Sequence, residues 1–282
     1  MARIIGESYY RTNRFKEAIP YLEKYMEKAD YVTKEDKYQL AFAYYRSGNY
    51  EEAAGMFGRL STGNSLICQN ALYHLADCYL KLDKKQDARM AFSSASKQNF
   101  DQNIAEDALF NYAVLTYELS YNPFNEAIIA LNDYIEKYPN SKRTDEAYNF
   151  LVLAYMNTKN YSMALASIEK IKNKTTEIKK SYQKIAFYRA LELFNNLRYN
   201  ESIKMLDQSL TYGEFDHKLA LMVHYWKAEA FYRLDDYSSA IENYNRFLNQ
   251  TGSYNLDEYD FAMYGIAYSF FSKNNITKLK PG

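Results

Sequence analysis

The sequence predicts an all-α protein built from repeated helix pairs, and three observations support this fold class. The 282 residues include 9 Gly and 4 Pro, too few turn-forming residues for a many-stranded sandwich or barrel. Apolar residues recur at spacings of three and four, which is the period of an amphipathic helix. A short motif also returns along the whole chain, so the helices are expected to form copies of one unit.

The motif marks the start of the second helix in each pair. It consists of an aromatic residue followed three positions later by Ala, usually with an acidic residue in between, as in Phe15-Lys-Glu-Ala18 and Tyr50-Glu-Glu-Ala53. Its last residues are Ala18, Ala53, Ala88, Ala127, Ala164, Ser202 and Ala240. A large residue follows four positions later in every copy, at Leu22, Phe57, Phe92, Leu131, Ile168, Leu206 and Tyr244. The acidic residues fall in a first helical turn, where the helix dipole favours negative charge.

A second pattern marks the first helix of each pair. A small residue is followed three positions later by an aromatic residue, as in Gly6/Tyr9, Ala41/Tyr44, Ala76/Tyr79, Ala228/Phe231 and Ala267/Phe270. Looser copies are Val114/Tyr117, Val152/Tyr155 and Ala190/Leu193. Small residues leave room where two helices cross closely, and aromatic residues fill the wider gaps. The last copy predicts the first helix of an eighth pair over Phe261–Phe271.

Turn-forming residues separate the two helices of a pair, because Asn and Gly tolerate the left-handed conformation that ends a helix. The predicted turns are Thr12-Asn13, Ser47-Gly48-Asn49, Asn122-Pro123, Lys159-Asn160, Asn195-Asn196, Asp235-Asp236 and Asn274-Asn275.

These motifs resemble the tetratricopeptide repeat (TPR). The resemblance covers residues 1–282 as a single array of about seven repeats plus the first helix of an eighth, with a period longer than 34 residues. It implies a right-handed superhelical solenoid of helix-turn-helix repeats, whose concave groove is lined by the first helices. The Tyr134 to Ser141 segment, which contains Tyr138-Pro139-Asn140-Ser141, is similar to repeat endings of bacterial cell-envelope TPR proteins.

By this resemblance, the residues that face the groove lie one turn apart on each first helix. The predicted partner-binding residues are Arg11, Tyr38, Phe42, Tyr45, Arg46, Tyr73, Asp77, Lys81, Phe187, Leu191, Phe194, Tyr225, Glu229, Tyr232 and Arg233. Aromatic residues and Arg are good anchors because they bury a large area and keep a polar group. Packing within the core and favourable charge at a helix C-terminus are the competing interpretations of these aromatic and basic residues.

The sequence contains no catalytic motif, and we predict no enzyme and no cofactor. It lacks a P-loop, G-x-G-x-x-G, H-E-x-x-H, G-x-S-x-G and an EF-hand loop. Cys68, His74 and Cys78 lie close in sequence, but three soft ligands without a fourth do not make a closed zinc site. We therefore expect two buried cysteines and a helix histidine, with no metal.

The predicted function is a non-catalytic scaffold that binds a partner peptide or helix. Because 35 basic residues balance 35 acidic ones, a nucleic-acid partner is not expected. The longest apolar run, Phe261–Phe271, is too short to span a membrane. The alternatives are a self-assembling module, associating through exposed Tyr264, Tyr268, Phe270 and Phe271, and a regulatory TPR region of a larger protein. The chain is expected to be a fragment, and it shows no signal peptide. Its compartment is unknown, with the bacterial periplasm or cell envelope favoured over the cytoplasm.

Overall fold

A computed structural model describes residues 1–120 and 124–279, with side chains described up to residue 274. The described secondary structure is entirely helical, which confirms the all-α prediction. The helices are α1 (Ala2–Arg11), α2 (Phe15–Lys28), α3 (Lys34–Ser47), α4 (Tyr50–Leu60), α5 (Leu66–Lys81), α6 (Lys85–Ser96), α7 (Gln102–Leu119), α8 (Asn125–Lys137), α9 (Thr144–Asn157), α10 (Tyr161–Lys170), α11 (Thr176–Asn195), α12 (Tyr199–Leu210), α13 (His217–Arg233), α14 (Tyr237–Leu248) and α15 (Glu258–Leu279), with a short 3₁₀ helix at Ser253–Asn255.

The described helices follow the predicted order of seven pairs and one further first helix. The small residues that close the second-helix motif are all fully buried, and the large residues four positions later are at most 2% exposed. In the first pair, a Cβ added to Gly6 would lie 2.9 Å from Leu22 Cδ2, so the two helices cross too closely for a larger residue. The spacing in the sequence therefore identifies the residues that hold each pair together.

Each of the six described turns within a pair contains one residue in the left-handed conformation. These residues are Asn13, Gly48, Asp83, Lys159, Leu197 and Asp235. The turn predicted at Asn195-Asn196 is displaced, since α11 includes Asn195 and the left-handed residue is Leu197 at φ 61°. The turn at Asp83 was not among those predicted from the sequence. The predicted turn at Asn122-Pro123 lies outside the described residues.

The eighth first helix differs from its prediction. It begins at Glu258 and continues to Leu279, so no turn forms at Asn274-Asn275. Asn costs a helix less than about 1 kcal/mol, and neither Gly nor Pro lies beside these two residues to end it. Ala267 is exposed, whereas its counterparts Ala41 and Ala228 are fully buried, because the described part of the chain has no second helix after α15.

The chain divides into two compact units, Met1–Ala154 and Tyr155–Gly282, which are described separately. The N-terminal unit contains α1–α8 and most of α9, and the C-terminal unit contains the end of α9 and α10–α15. The prediction of one continuous array over residues 1–282 concerns both units together and stays a prediction. Within the described ranges, no helix combines the length and hydropathy that crossing a membrane requires.

Candidate functional site

The predicted site residues of α3 form an aromatic cluster in the N-terminal unit. Tyr38, Phe42 and Tyr45 are each half-buried, and the rings of Tyr38 and Phe42 stack with centroids 6.2 Å apart. Their three rings also approach His74 of α5, at centroid distances of 5.2 to 6.1 Å. These side chains therefore lie partly at the surface of the unit and partly in its core.

His74 lies at the centre of this cluster, surrounded by aromatic rings. Rings of Phe57 and Tyr73, each 5.5 Å away, complete its surroundings. Burial lowers the pKa of His74 to about 4, so the ring is neutral at pH 7. Burial also raises the pKa of the Cys78 thiol to about 12, which opposes thiolate formation. Among the described residues, no group of His, Cys, Asp and Glu side chains is arranged to hold a metal ion.

Tyrosine hydroxyls link the first helices of neighbouring pairs. Tyr45 donates to the carboxylate of Asp77, and Tyr73 donates to Asp107 with an O···O distance of 2.5 Å. Asp107 also accepts from Asn111 at 2.8 Å and from Arg143 at 2.5 Å. Burial and then the bonded carboxylate raise the pKa of both tyrosines. Two of the predicted site residues thus bind each other, and their carboxylate is already occupied.

The predicted basic residues of this unit are exposed. Arg11, Arg46 and Lys81 each lie in the last turn of a first helix, 35 residues apart along the chain. The guanidinium of Arg46 lies over the rings of Phe15 and Phe42, at 4.9 and 5.8 Å from their centroids. None of the three cations makes an ion pair with another described residue. They are therefore available to an anionic partner.

In the C-terminal unit, the predicted site residues lie at different depths. Phe187 and Tyr225 are only 4% and 8% exposed, so they are core residues and little of either side chain can contact a partner. Phe194 is half-buried against Trp226 with ring centroids 5.1 Å apart, and Leu191 packs on the same core. Their helical spacing is regular, but the depth of each position depends on the neighbouring pair.

The remaining predicted residues of α13 line a pocket of about 300 Å³. Glu229, Tyr232 and Arg233 form one side, and residues of α15 form the other. The full lining is Tyr225, Glu229, Tyr232, Arg233, Tyr244, Phe261, Tyr264, Gly265 and Tyr268. The α15 residues were missed as site residues. Tyr264 and Tyr268 have the same spacing about the small residue Ala267 as the predicted residues Tyr225 and Glu229 have about Ala228. That repeat spacing was the signal available.

A further cavity of about 690 Å³ lies in the N-terminal unit and was not predicted. It is lined mainly by second helices, with Met90 of α6 and Ile129 of α8 both largely exposed beside Tyr112 of α7. An ion pair between Arg89 and Glu126, at 3.5 Å, spans it. None of its lining residues belongs to the predicted site.

Sequence models of known families match most of the chain. Three models described as tetratricopeptide repeat match residues 107–141, 145–173 and 189–255. The model described as anaphase-promoting complex, cyclosome, subunit 3 matches residues 5–95. No curated protein sequence matches the chain.

Solved structures also match the chain. The structure of Naa15/Naa10 bound to HypK-THB matches at 14% identity and a TM-score of 0.56, covering 95% of this chain and 38% of that one. The TPR2AB domain of yeast Sti1 in its pHSP90 complex matches at 16% identity and a TM-score of 0.46, covering 94% and 97%. A TPR protein from Cytophaga hutchinsonii matches at 14% identity and a TM-score of 0.47, covering 90% of this chain and 98% of that one.

At these identities the solved structures bear on the fold alone, and the first of them supports an all-α helical array. The paired helices, the buried small residues at their crossings and the family matches agree with one another. The expectation of a bacterial cell-envelope subtype stays a prediction. The chain belongs to the tetratricopeptide repeat family.

Proposed function

We propose that the chain is a non-catalytic protein-interaction scaffold that binds an extended or helical segment of a partner along its first helices. The observation that carries the proposal is the repeated placement of an exposed cation in the last turn of three successive first helices, one of which lies over aromatic rings. Arg46 stands over Phe42, and Arg11 and Lys81 occupy the same position of the neighbouring first helices. A segment that follows these helices would meet one cation in each of the first three pairs.

The charges of the N-terminal unit favour an acidic partner segment. Asp77 and Asp107 accept hydrogen bonds from tyrosines, and Asp107 is also paired with Arg143. The hydroxyl of Tyr45 is neutral and leaves the charge of Asp77 in place, but the three exposed cations make no ion pair among the described residues and outnumber that carboxylate. The predicted site residues of this unit therefore carry an excess of positive charge. Aromatic side chains beside the cations favour apolar residues between the acidic ones, because such residues gain buried area while the charges fix the register.

The test must separate lost contacts from lost folding. Replacing Tyr38 or Tyr45 by Ala would open a cavity beside His74 and Phe57, so lost binding would be ambiguous. We therefore choose the exposed residues and the double variant Arg46→Glu/Lys81→Glu. Its matched control is Arg59→Glu/Lys97→Glu, which changes the same charge at the C-terminal ends of α4 and α6.

The experiment selects random linear peptides displayed on phage against the full chain and compares the two variants. We expect the selected peptides to be enriched in Asp and Glu, to lose at least about tenfold in affinity for the first variant and to keep it for the control. Peptides that bind both variants equally would place the binding surface elsewhere and contradict the proposal. Circular dichroism must show unchanged helicity in both.

Self-assembly is the second candidate, because α15 exposes a row of large apolar side chains. Phe261, Tyr264, Tyr268 and Phe271 are 61 to 66% exposed, and Phe270 is 50% exposed. An apolar surface of this kind commonly marks an interaction site. Sedimentation equilibrium over a hundredfold range of concentration tests this candidate. A mass that rises with concentration supports self-association, and a constant monomer mass excludes it.

A further inference from the structure

We propose that the pocket between α13, α14 and α15 binds the side chain of a lysine or arginine from the partner segment. The inference rests on the proposed function, because it names the chemistry of one anchor of that segment. It concerns the C-terminal unit alone, whereas the acidic preference argued above concerns the N-terminal unit.

Aromatic rings supply most of the pocket wall. Tyr225 and Tyr232 belong to α13, while Phe261, Tyr264 and Tyr268 belong to α15. The α15 rings are 61 to 63% exposed, so a ligand reaches them without any rearrangement. Aromatic faces attract cations, and several rings around one small pocket are the usual means of holding an ammonium or guanidinium group.

A carboxylate lies within the ring of aromatic residues. The side chain of Glu229 is only 18% exposed, and one of its oxygens accepts the hydroxyl of Tyr244, which itself is 1% exposed. A hydroxyl is a neutral donor, so this bond fixes the carboxylate and leaves its charge in place. Burial, and then the charges of Glu229 and Glu258, raise the pKa of Tyr225 in the same wall to about 12, while Arg233 opposes them.

Arg233 shows that the pocket accepts a cation. Its guanidinium lies 3.6 Å from the second oxygen of Glu229 and 5.6 Å from the ring centroid of Tyr232. The separation from Glu229 exceeds a hydrogen-bond length, and the Arg233 side chain is 45% exposed, so the pair is loose. A basic side chain from a partner would replace Arg233 at the carboxylate while Arg233 turns towards solvent.

Other side chains fit this pocket less well. An apolar side chain would cover Glu229 and deprive the carboxylate of water without supplying a counter-charge. An acidic side chain would be repelled by the carboxylate of Glu229. A cation alone satisfies both the rings and Glu229, and a volume of about 300 Å³ holds one long side chain.

The chain contains its own reporter for a binding experiment. Trp226 is the single tryptophan, and its ring lies 5.5 Å from that of Tyr225 in the pocket wall. The probes are the peptides Ac-Gly-Gly-Lys-Gly-Gly-NH₂, its arginine, norleucine and glutamate analogues, and tetramethylammonium. The indole N–H signal of the full chain is followed by NMR during each titration.

We expect the lysine and arginine peptides to bind at least about tenfold more tightly than the norleucine and glutamate peptides. Glu229→Gln keeps an acceptor for Tyr244 and removes the charge, so it should lower the affinity for the lysine peptide about tenfold. Arg233→Gln should raise that affinity several-fold, because the competing cation is gone. The matched control is Glu242→Gln, which removes the acid of another Glu–Arg pair at the same spacing on α14 and should change nothing.

Several results would overturn the inference. Equal binding of the lysine and norleucine peptides would make the pocket a simple apolar one. Lysine binding that survives Glu229→Gln, or that falls equally in Glu242→Gln, would be non-specific charge attraction. Tighter binding of tetramethylammonium than of either basic peptide would assign the pocket to a small quaternary ammonium compound.

Arg46→Glu/Lys81→Glu separates this inference from the proposed function. It should leave the lysine-peptide titration unchanged. If displayed peptides ignore that variant while the lysine peptide binds and depends on Glu229, the proposed groove of the N-terminal unit fails and the cation pocket stands. If displayed peptides lose affinity for that variant while the lysine peptide does not bind or does not depend on Glu229, the cation pocket fails and the proposed groove stands.

Discussion

The hydroxyl of Tyr45 on α3 donates to the carboxylate of Asp77 on α5, 32 residues later. The bond joins the first helices of two consecutive pairs at equivalent faces. Tyr45 and Asp77 were both predicted to contact a partner, and in the structure they are hydrogen-bonded to each other. The same contact restricts motion of the surface beside Arg46 and Lys81. A rigid surface loses less conformational entropy when a partner binds.

This bond should be measurable by a double-mutant cycle. Tyr45→Phe and Asp77→Asn each weaken it, and the double variant should be less destabilised than the sum of the two. We expect a coupling of about 1 kcal/mol in the free energy of unfolding, measured by urea titration, because the hydrogen bond is charge-assisted but only half-buried. A coupling near zero would show that the contact contributes nothing to stability.

His74 should make the N-terminal unit sensitive to mild acid. Its pKa is lowered to about 4 in the folded chain, while the unfolded chain keeps a value near 6.5. Between those values the unfolded state binds more protons, so stability is complete above about pH 6.5 and falls as the pH drops towards 4. The loss attributable to His74 is at most about 3 kcal/mol.

The matched variant is His74→Phe, because Phe150 and Trp226 stand at the corresponding position, two residues before the small residue of their first helices. Its urea midpoint should fall less than that of the unchanged chain between pH 7 and pH 5. Replacing the exposed His217 by Gln is the control for removing a histidine outside this cluster. Parallel pH curves for the unchanged chain and His74→Phe would refute the assignment.

Two buried glutamines should prove unusually costly to remove. Gln69 accepts from the backbone N–H of Asp101 at 2.7 Å and donates to its carbonyl at 3.0 Å. Gln183 makes the same two bonds with Asp216, at 2.9 and 2.8 Å. Each Asp is the N-cap of the next first helix, so each glutamine fixes the joint between two pairs.

We expect Gln69→Leu and Gln183→Leu each to lower the free energy of unfolding by about 2 to 3 kcal/mol, because two buried backbone groups lose their partners. Hydrogen exchange at the amides of Asp101 and Asp216 should accelerate in the corresponding variant only. Unchanged exchange rates would mean that other groups or water replace the glutamine as hydrogen-bond partners of these backbone amides.

Two glycines in helices should respond to Ala in opposite ways. A Cβ at Gly265 would lie 2.7 Å from the hydroxyl oxygen of Tyr244, which is fixed by Glu229, whereas a Cβ at Gly55 would meet nothing within 4 Å. Gly265→Ala should therefore cost about 1 to 3 kcal/mol through overpacking. Gly55→Ala should gain about 0.5 to 1 kcal/mol through helix propensity. Thermal unfolding of the two variants provides the comparison, and a stabilising Gly265→Ala would contradict the close approach.

The helix pairs could be predicted from the sequence because their packing repeats. Leu22 and Tyr244, far apart in the chain, occupy the same position relative to Ala18 and Ala240, and both are buried. The chain offers that relationship seven times, so single irregular copies do not obscure it.

The site was less predictable, because it depends on contacts between successive pairs, which the spacing within one helix does not indicate. Gln69 meets a loop 32 residues later, and nothing in its own helix indicates this. Phe187 and Tyr225 stand at groove positions by spacing, yet the neighbouring pair covers both. Helical periodicity gives the direction of a side chain, while its depth is decided by how closely the next helix approaches.

The turns within pairs show that one backbone conformation can be reached by very different residue types. Their left-handed position is occupied by Asn, Gly and Asp, but also by Lys159 at φ 56° and Leu197 at φ 61°. A left-handed Leu is locally unfavourable, so the flanking helices, once packed, must impose the conformation. The conformation of these turns is therefore set by the helices on either side, and six described turns that share one geometry have no residue type in common.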